Sequence, residues 1–334
     1  MKRPELEKRL AAIGKINLCV GETPIHDMPS IARQLGVRHA YIKRDDLTGL
    51  GPGGNKVRNR EYILYRAIRL GADTVIVSGP AQSNLCSIAA CARARLGMGC
   101  VLVQNGPEDP GSAGNLLLSR LAGADMRYLG NVDWTVRNAH MQTVKDELEA
   151  EGRKPFVIEN GASTGYGALG YVDAVCEIAR QNDVMGGVIR TLFVPAGNGG
   201  VAAGVTYGNY LLDFPFRVVV VSSEHDRDRL PAEMTKVIRE AEELIGVPFE
   251  GKVEDACLIT DEYYGGGWSL NTPESEAAVY RLARNEGIFL ENVYTSKTFV
   301  GFCDMIEKGL VEKEGNLFLH SGGFGSLFAQ YPDE

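Results

Sequence analysis

The sequence predicts an α/β protein made of two open parallel-sheet domains, the smaller inserted into a larger, sequence-discontinuous one. Three observations lead there. Short runs rich in Val, Ile and Leu recur along the 334 residues without strict polar alternation, as expected of strands buried on both faces of a parallel sheet. Helical patterns lie between these runs, the alternation that right-handed crossovers produce. Residues 58–165 form a closed set of strands and helices, so the segments before and after, 1–57 and 166–334, are left to pair with each other.

In chain order, MKRPELEKRLAAIG reads as a short amphipathic helix, because no apolar stretch follows its charges as a signal peptide requires. AYIK near residue 40 is the first strand. Within the inserted unit come TVIVS (74–78), CVLVQ (100–104), MRYL (126–129) and FVIEN (156–160), separated by helices over Gln82–Leu96, Ser112–Leu121 and Asp133–Glu151. The larger unit resumes with TLFVPA (191–196), RVVVVSS (217–223), CLIT (257–260), a helix over Glu274–Asn285 and NLFLHS (316–321). In such sheets ligands bind beyond the carboxyl ends of strands, so the loops after these strands are where function is expected.

Composition narrows the function classes. A formal net charge of −8 speaks against a nucleic-acid surface. No apolar run is long enough to predict a membrane span. Seven scattered cysteines without a CxxC pair suit reduced, mostly buried thiols and a cytoplasmic location. Five dispersed histidines without HxxxH or HExxH predict no metal site, and the absence of GxSxG removes a serine-hydrolase reading.

What remains is a set of glycine-rich loops after strands. GPGGNKVRNREY (51–62) sets Lys56 behind three glycines and a proline, immediately before a helical pattern. GPAQSNLC (79–86) places Gln82, Ser83 and Asn84 at a helix start, a seat for a carboxylate or a plain N-cap. GNGGVAAG (197–204) opens another helix, and its backbone could wrap a phosphate; it matches neither GxxxxGK[ST] nor GxGxxG. SGGFGS (321–326) is a fourth strand–loop–helix junction. A lysine, a phosphate cradle and a carboxylate seat together fit pyridoxal 5'-phosphate acting on an amino acid.

GGNKVR with Ser83 of a QSN segment 27 positions after the lysine, then GNGG, VYTSK and SGG, resembles the 1-aminocyclopropane-1-carboxylate deaminase and D-cysteine desulfhydrase family. These are pyridoxal-phosphate enzymes of the tryptophan-synthase-β-like fold, fold type II. TPIHDMPSIARQLG (23–36) and IKRDDLTGLGPGGNK (42–56) also resemble the family's opening. The resemblance implies that Lys56 is the Schiff-base lysine, that Asn84 hydrogen-bonds the cofactor's ring oxygen, and that Ser83 is the active-site serine. It implies further that Gln82, Ser83 and Asn84 hold the substrate carboxylate, and that Gly197, Asn198, Gly199 and Gly200 hold the phosphate. Tyr294 matches the active-site tyrosine and Thr295 the residue facing the pyridine nitrogen. A homodimer is implied by the family alone.

Several positions depart from the family's pattern. Thr295 stands where deaminases carry a carboxylate, Asn59 where a phosphate-contacting lysine is usual, and Asn198-Gly199-Gly200 where Ser-Thr hydroxyls are usual. Leu85 replaces a histidine or glutamine, and Trp268 takes the place of a second tyrosine, either as a core side chain or as a wall limiting substrate size. Asn59 either donates one hydrogen bond to the phosphate or faces solvent. His225 and Asp226 follow a strand end and read as solvated loop polarity. A hydroxyl cannot keep a pyridine nitrogen protonated as a carboxylate does, which favours prompt α,β-elimination with Lys56 as the base for the Cα proton. The expected activity is that of a D-cysteine desulfhydrase-like lyase giving pyruvate, ammonia and sulfide. L-cysteate sulfo-lyase, ring-opening deaminase and β-replacement synthase are the alternatives; outside this chemistry stand a dehydrogenase or a non-catalytic binding protein.

Overall fold

The structure, a computed structural model, describes residues 1–106 and 113–331. Among these residues ten strands form two sheets. They are β1 (Ile25–Asp27), β2 (Tyr41–Arg44), β3 (Thr74–Pro80), β4 (Gly99–Asn105), β5 (Asp125–Tyr128), β6 (Pro155–Ile158), β7 (Thr191–Ala196), β8 (Arg217–Ser222), β9 (Leu258–Thr260) and β10 (Asn316–His320). The larger sheet has the order β1-β2-β10-β7-β8-β9 and the smaller β5-β4-β3-β6. The chain therefore leaves the larger sheet after β2, builds the whole smaller sheet, and returns at β7. Every pairing is parallel except β1 with β2.

The central strands lack polar alternation because each face has its own core. On β7, Leu192 and Val194 pack with helices Gly165–Val184 and Gly200–Leu211, whereas Phe193 points to the opposite cluster. Val218 and Val220 against Val219 and Val221 on β8, and Leu317 and Leu319 against Phe318 on β10, divide in the same way. On the second face Phe193, Phe299, Phe302 and Phe318 meet in edge-to-face and stacked contacts. Strand β1, missed in the sequence, has three residues, none of them buried, so its pattern carries no apolar signal; its antiparallel pairing closes one edge of the sheet.

Several helix starts follow capping chemistry. Ser83 caps Asn84–Leu96, Asp133 caps Trp134–Ala150 through Thr135 and Val136, and Thr272 forms a capping box with Ser275 ahead of Pro273–Glu286. The helix expected from Ser112 is described from Gly114, Ser112 itself lying outside the described residues. The expected boundary at 57/58 falls inside one continuous helix, Asn55–Arg69, and that at 165/166 falls at the start of another, Gly165–Val184. Registers align Leu317 of β10 with both Tyr41 of β2 and Leu192 of β7. The loops leaving these strands, with Lys56, the 321–323 turn and the 197–200 turn, consequently emerge on one side of the sheet.

Candidate active site

The glycines ahead of Lys56 let two backbones come close. A Cβ at Gly53 would lie 2.0 Å from the Asp46 carbonyl oxygen, and one at Gly54 would lie 2.9 Å from that of Ser321. Both glycines have positive φ, 72° and 107°. The Asn55 N–H then donates to Ser321 O at 2.8 Å, tying the first turn of the Lys56 helix to the end of β10. Lys56 is half-buried and its Nζ donates to the Gly161 carbonyl at 3.1 Å. Burial, then the like charge of Arg60 one turn on, pushes the Lys56 ammonium down to about 8, against an opposing pull from Glu224. Arg60 is itself fully buried, with one donor on the Leu85 carbonyl and its Nε and Nη1 without a partner among the described residues.

The turn after β7 lies alongside. Gly199, at φ 80°, precedes helix Gly200–Leu211, which has no side-chain cap, so its first N–H groups remain available to an anion. A Cβ on Gly197 would meet Glu224 Oε2 at 2.9 Å and Tyr294 Cε1 at 3.0 Å, and one on Gly161 would meet Asn198 Nδ2 at 3.1 Å. Oriented to donate, Asn198 Nδ2 lies 3.0 and 3.2 Å from the two oxygens of Glu224. Burial raises the proton affinity of Glu224, against the opposing pull of Lys56 and Arg229. Sequence reading missed Glu224, although it follows the end of β8, where a ligand-facing loop was expected. In the same loop Asp226 is exposed and accepts from the Arg229 N–H, which is local capping.

Tyr294 precedes helix Thr295–Glu307, and its hydroxyl accepts from Trp268 Nε1 at 2.7 Å. Burial, with Glu224 nearby, raises its proton affinity and keeps it a phenol. Trp268 is 41 % exposed and so is not a core side chain. Its loop is fastened by Lys297, a fully buried lysine whose Nζ donates to the carbonyls of Tyr264 (2.6 Å) and Gly267 (3.0 Å).

The other expected residues are engaged more locally. Ser83 Oγ accepts from the Cys86 N–H at 3.3 Å, the plain capping contact. Gln82 braces the 113–115 segment, taking the Asn115 N–H on Oε1 and giving Nε2 to Ala113 O. Asn84 Oδ1 accepts from Asn115 Nδ2 at 2.7 Å. Asn59 neither faces solvent nor stands free: it is 2 % exposed and donates to the Gly167 carbonyl at 2.5 Å. The Thr295 hydroxyl accepts from the Glu291 N–H at 2.9 Å and lies 3.1 Å from Glu291 Oε1. That buried carboxylate is in turn capped by the N–H groups of Val293, Tyr294 and Thr295.

Deep to the lysine helix, Arg58 pairs with Asp45 and Glu177, and Lys43 with Glu177, in a buried network completed by Thr23 and Tyr171. Against burial, which acts upward, Arg58 and Lys43 hold Asp45 down to about 2. The four charges balance, so the cluster anchors the helix that carries Lys56 without leaving a net buried charge.

These residues fit pyridoxal phosphate. An amine with lowered proton affinity, a glycine cradle that a Cβ would fill, and an uncapped helix start are what the aldehyde and phosphate of that group require. The comparisons agree. A family model described as "Pyridoxal-phosphate dependent enzyme" matches residues 16–322. A Pyrococcus horikoshii protein named "Putative 1-aminocyclopropane-1-carboxylate deaminase" is 37% identical, covering 97% of this chain and 96% of its own. A Pyrococcus abyssi protein of the same name is 34% identical over the same shares. A crystal structure described as that of "the ACC deaminase homologue" superposes with TM-score 0.89 at 37% identity, covering 99% of this chain and 98% of that one. A processed threonine deaminase from Solanum lycopersicum, TM-score 0.68 at 18% identity over 96% and 85% of the two chains, shares the fold. The chain belongs to the pyridoxal-phosphate-dependent enzymes of fold type II, within the 1-aminocyclopropane-1-carboxylate deaminase family.

Proposed function

We propose that this enzyme is a carbon–sulfur lyase that eliminates the β-substituent of cysteine or a close β-substituted amino acid, with D-cysteine the default substrate, giving pyruvate, ammonia and sulfide. One observation carries the reading: no carboxylate at position 295 is free to hold a pyridine nitrogen protonated. Thr295 supplies only a hydroxyl, and the nearest carboxylate, Glu291, is taken up by three backbone N–H groups. Bound pyridoxal phosphate supplies the electron sink for the bond broken at Cα. In this reading Lys56 holds the group and takes the Cα proton at Nζ, its lowered proton affinity leaving a usable fraction of free amine near neutrality. Backbone N–H groups of Gly197–Gly200 hold the phosphate, Asn84 gives a hydrogen bond to the ring oxygen, and the Gln82–Asn84 helix start receives the substrate carboxylate. Tyr294, held by Trp268, orients its phenol toward the departing group. Asn59 is left out of the phosphate contacts because its Nδ2 is turned to the Gly167 carbonyl.

Two further parts belong to this reading. Seven free cysteines suit a reducing cytoplasm. Exposed Leu121, Phe289, Phe324 and Phe328 support association with a second copy.

Ring opening of 1-aminocyclopropane-1-carboxylate is the second reading, favoured by the names of the relatives. A product panel separates them. Sulfide with pyruvate supports elimination from cysteine, sulfite with pyruvate supports cysteate, and a four-carbon 2-oxo acid supports ring opening; both enantiomers of cysteine and of cysteate are scored. Thr295→Glu should slow elimination, and an unchanged rate and product partition would remove Thr295 from the argument. The cofactor assignment is read from a visible absorption band that borohydride bleaches and that Lys56→Ala lacks.

A further inference from the structure

We infer that Asn115 is a positioning residue: it fixes the side-chain amide of Asn84 so that its Nδ2 hydrogens, not its oxygen, are left to the site. This rests on the reading of Asn84 as the donor to the cofactor's ring oxygen and deepens it.

An asparagine amide carries an acceptor and a donor of nearly the same shape, and which one faces a ligand depends on its other neighbours. Here the orientation is set by a chain of contacts that begins at an unambiguous atom. Asn115 Nδ2 lies 3.0 Å from the backbone carbonyl of Gln82. A carbonyl oxygen can only accept, so the Asn115 atom at that position is the nitrogen. The same nitrogen lies 2.7 Å from the Asn84 side chain, and the Asn84 atom facing it must therefore be the oxygen. Asn84 Nδ2 is then the group left over, with no protein partner among the described residues.

Asn115 is itself immobilised. It is 1 % exposed, its backbone N–H donates to Gln82 Oε1 at 2.9 Å, and Gln82 Nε2 returns to the Ala113 carbonyl at 3.1 Å. From the other side, helix Phe324–Gln330 closes on it: a Cβ on Gly325 would stand 2.3 Å from Asn115 Oδ1. Among the described residues that oxygen has no hydrogen-bond partner, a cost accepted at one end of the amide while the other end serves two acceptors. Glycine at 325 is what allows helix Gly114–Leu121 to bring Asn115 into this position.

The test uses the full chain stripped of cofactor and titrated with pyridoxal 5'-phosphate, followed by visible absorption and protein fluorescence. Asn115→Asp keeps the shape but presents only acceptors to Gln82 O and Asn84 Oδ1, so the Asn84 amide turns over and withdraws its donor. The expected result is binding weakened about five- to tenfold, the value of one hydrogen bond, with a shift in the pH midpoint of the visible band. Asn115→Ser, which keeps one donor, should recover part of both. Gly325→Ala, which pushes on the same side chain, should move the midpoint in the same direction and serves if Asn115→Asp does not fold. In an Asn84→Ala background Asn115→Asp should add almost nothing, because it acts through the amide already removed. Independent, additive losses in that cycle, or an unmoved midpoint in both Asn115→Asp and Gly325→Ala, overturn the inference. Failure of the unaltered protein to develop the band overturns the cofactor reading instead, so the two failures are told apart.

Discussion

Replacing Glu177 by glutamine tests how the Lys56 helix is held. The Glu177 carboxylate accepts from the Thr23 N–H at 3.0 Å, from Arg58 Nη1 and Nη2 at 2.9 Å each, and from Lys43 Nζ. Lys43, Asp45 and Arg58 are all within a few per cent of complete burial. In Glu177→Gln, two buried cations face the single anion Asp45, and the new amide turns an N–H₂ toward groups that are themselves donors. Breaking one member of such a buried set costs about 3–5 kcal/mol. With an unfolding entropy of about 2.1 cal/mol/K per residue over 334 residues, that corresponds to a fall in Tm of about 4–7 °C. The pH dependence carries a sign. Arg58 and Lys43 hold Glu177 below the usual carboxylate range despite its burial, so its contribution is present above the unfolded-state pKa and is lost as pH falls through the folded one. The gap between the two proteins should therefore be full at pH 7 and close in acid. Differential scanning calorimetry and urea titration at pH 7 and pH 3.5 measure it. A destabilisation under about 1 kcal/mol at pH 7, within the range of an exposed ion pair, would refute the anchoring argument; so would a gap as wide at pH 3.5 as at pH 7.

Three further outcomes follow from the site. The rate of cofactor capture by the stripped protein should rise with pH through about 8, because only the deprotonated Lys56 amine reacts and its folded pKa lies there; Arg60→Met, which removes the like charge, should move that midpoint upward. Lys297→Met releases the Tyr264 and Gly267 carbonyls and should raise KM more than it lowers kcat, with a change in Trp268 fluorescence that reports the loosened loop. Gly197→Ala places a Cβ 2.9 Å from Glu224 and 3.0 Å from Tyr294 and should weaken cofactor retention while leaving Tm within about 2 °C, as for a change confined to a loop.

The parts of this protein that were legible in its sequence are those encoded over a few consecutive residues. TLFVPA and RVVVVSS announce strands because each face of β7 and β8 meets its own core, and every second residue is as apolar as the first. Lys56 stands out because the close approaches at Gly53 and Gly54 exclude any side chain. The polar contacts that complete the site leave no such local trace. Asn115 reaches Asn84 across 31 positions, Lys297 reaches Tyr264 across 33, and Arg58 reaches Glu177 across 119. In the sequence these are an asparagine after a glycine, a lysine in a helix and one more arginine among surface-like charges. Their meaning comes from burial, which turns an ordinary hydrogen bond into an orientation constraint and an ordinary ion pair into an anchor. The same distinction applies to Asn59, for which the sequence alone leaves both the phosphate and the solvent open. Its helical position allowed both, and only the close packing of helix Gly165–Val184, where a Cβ on Gly170 would lie 2.5 Å from the Arg58 carbonyl oxygen, turns its amide to Gly167. A substitution that changes only what a residue is will show at Lys56; one that changes what a residue holds in place will show at Asn115, Lys297 and Glu177.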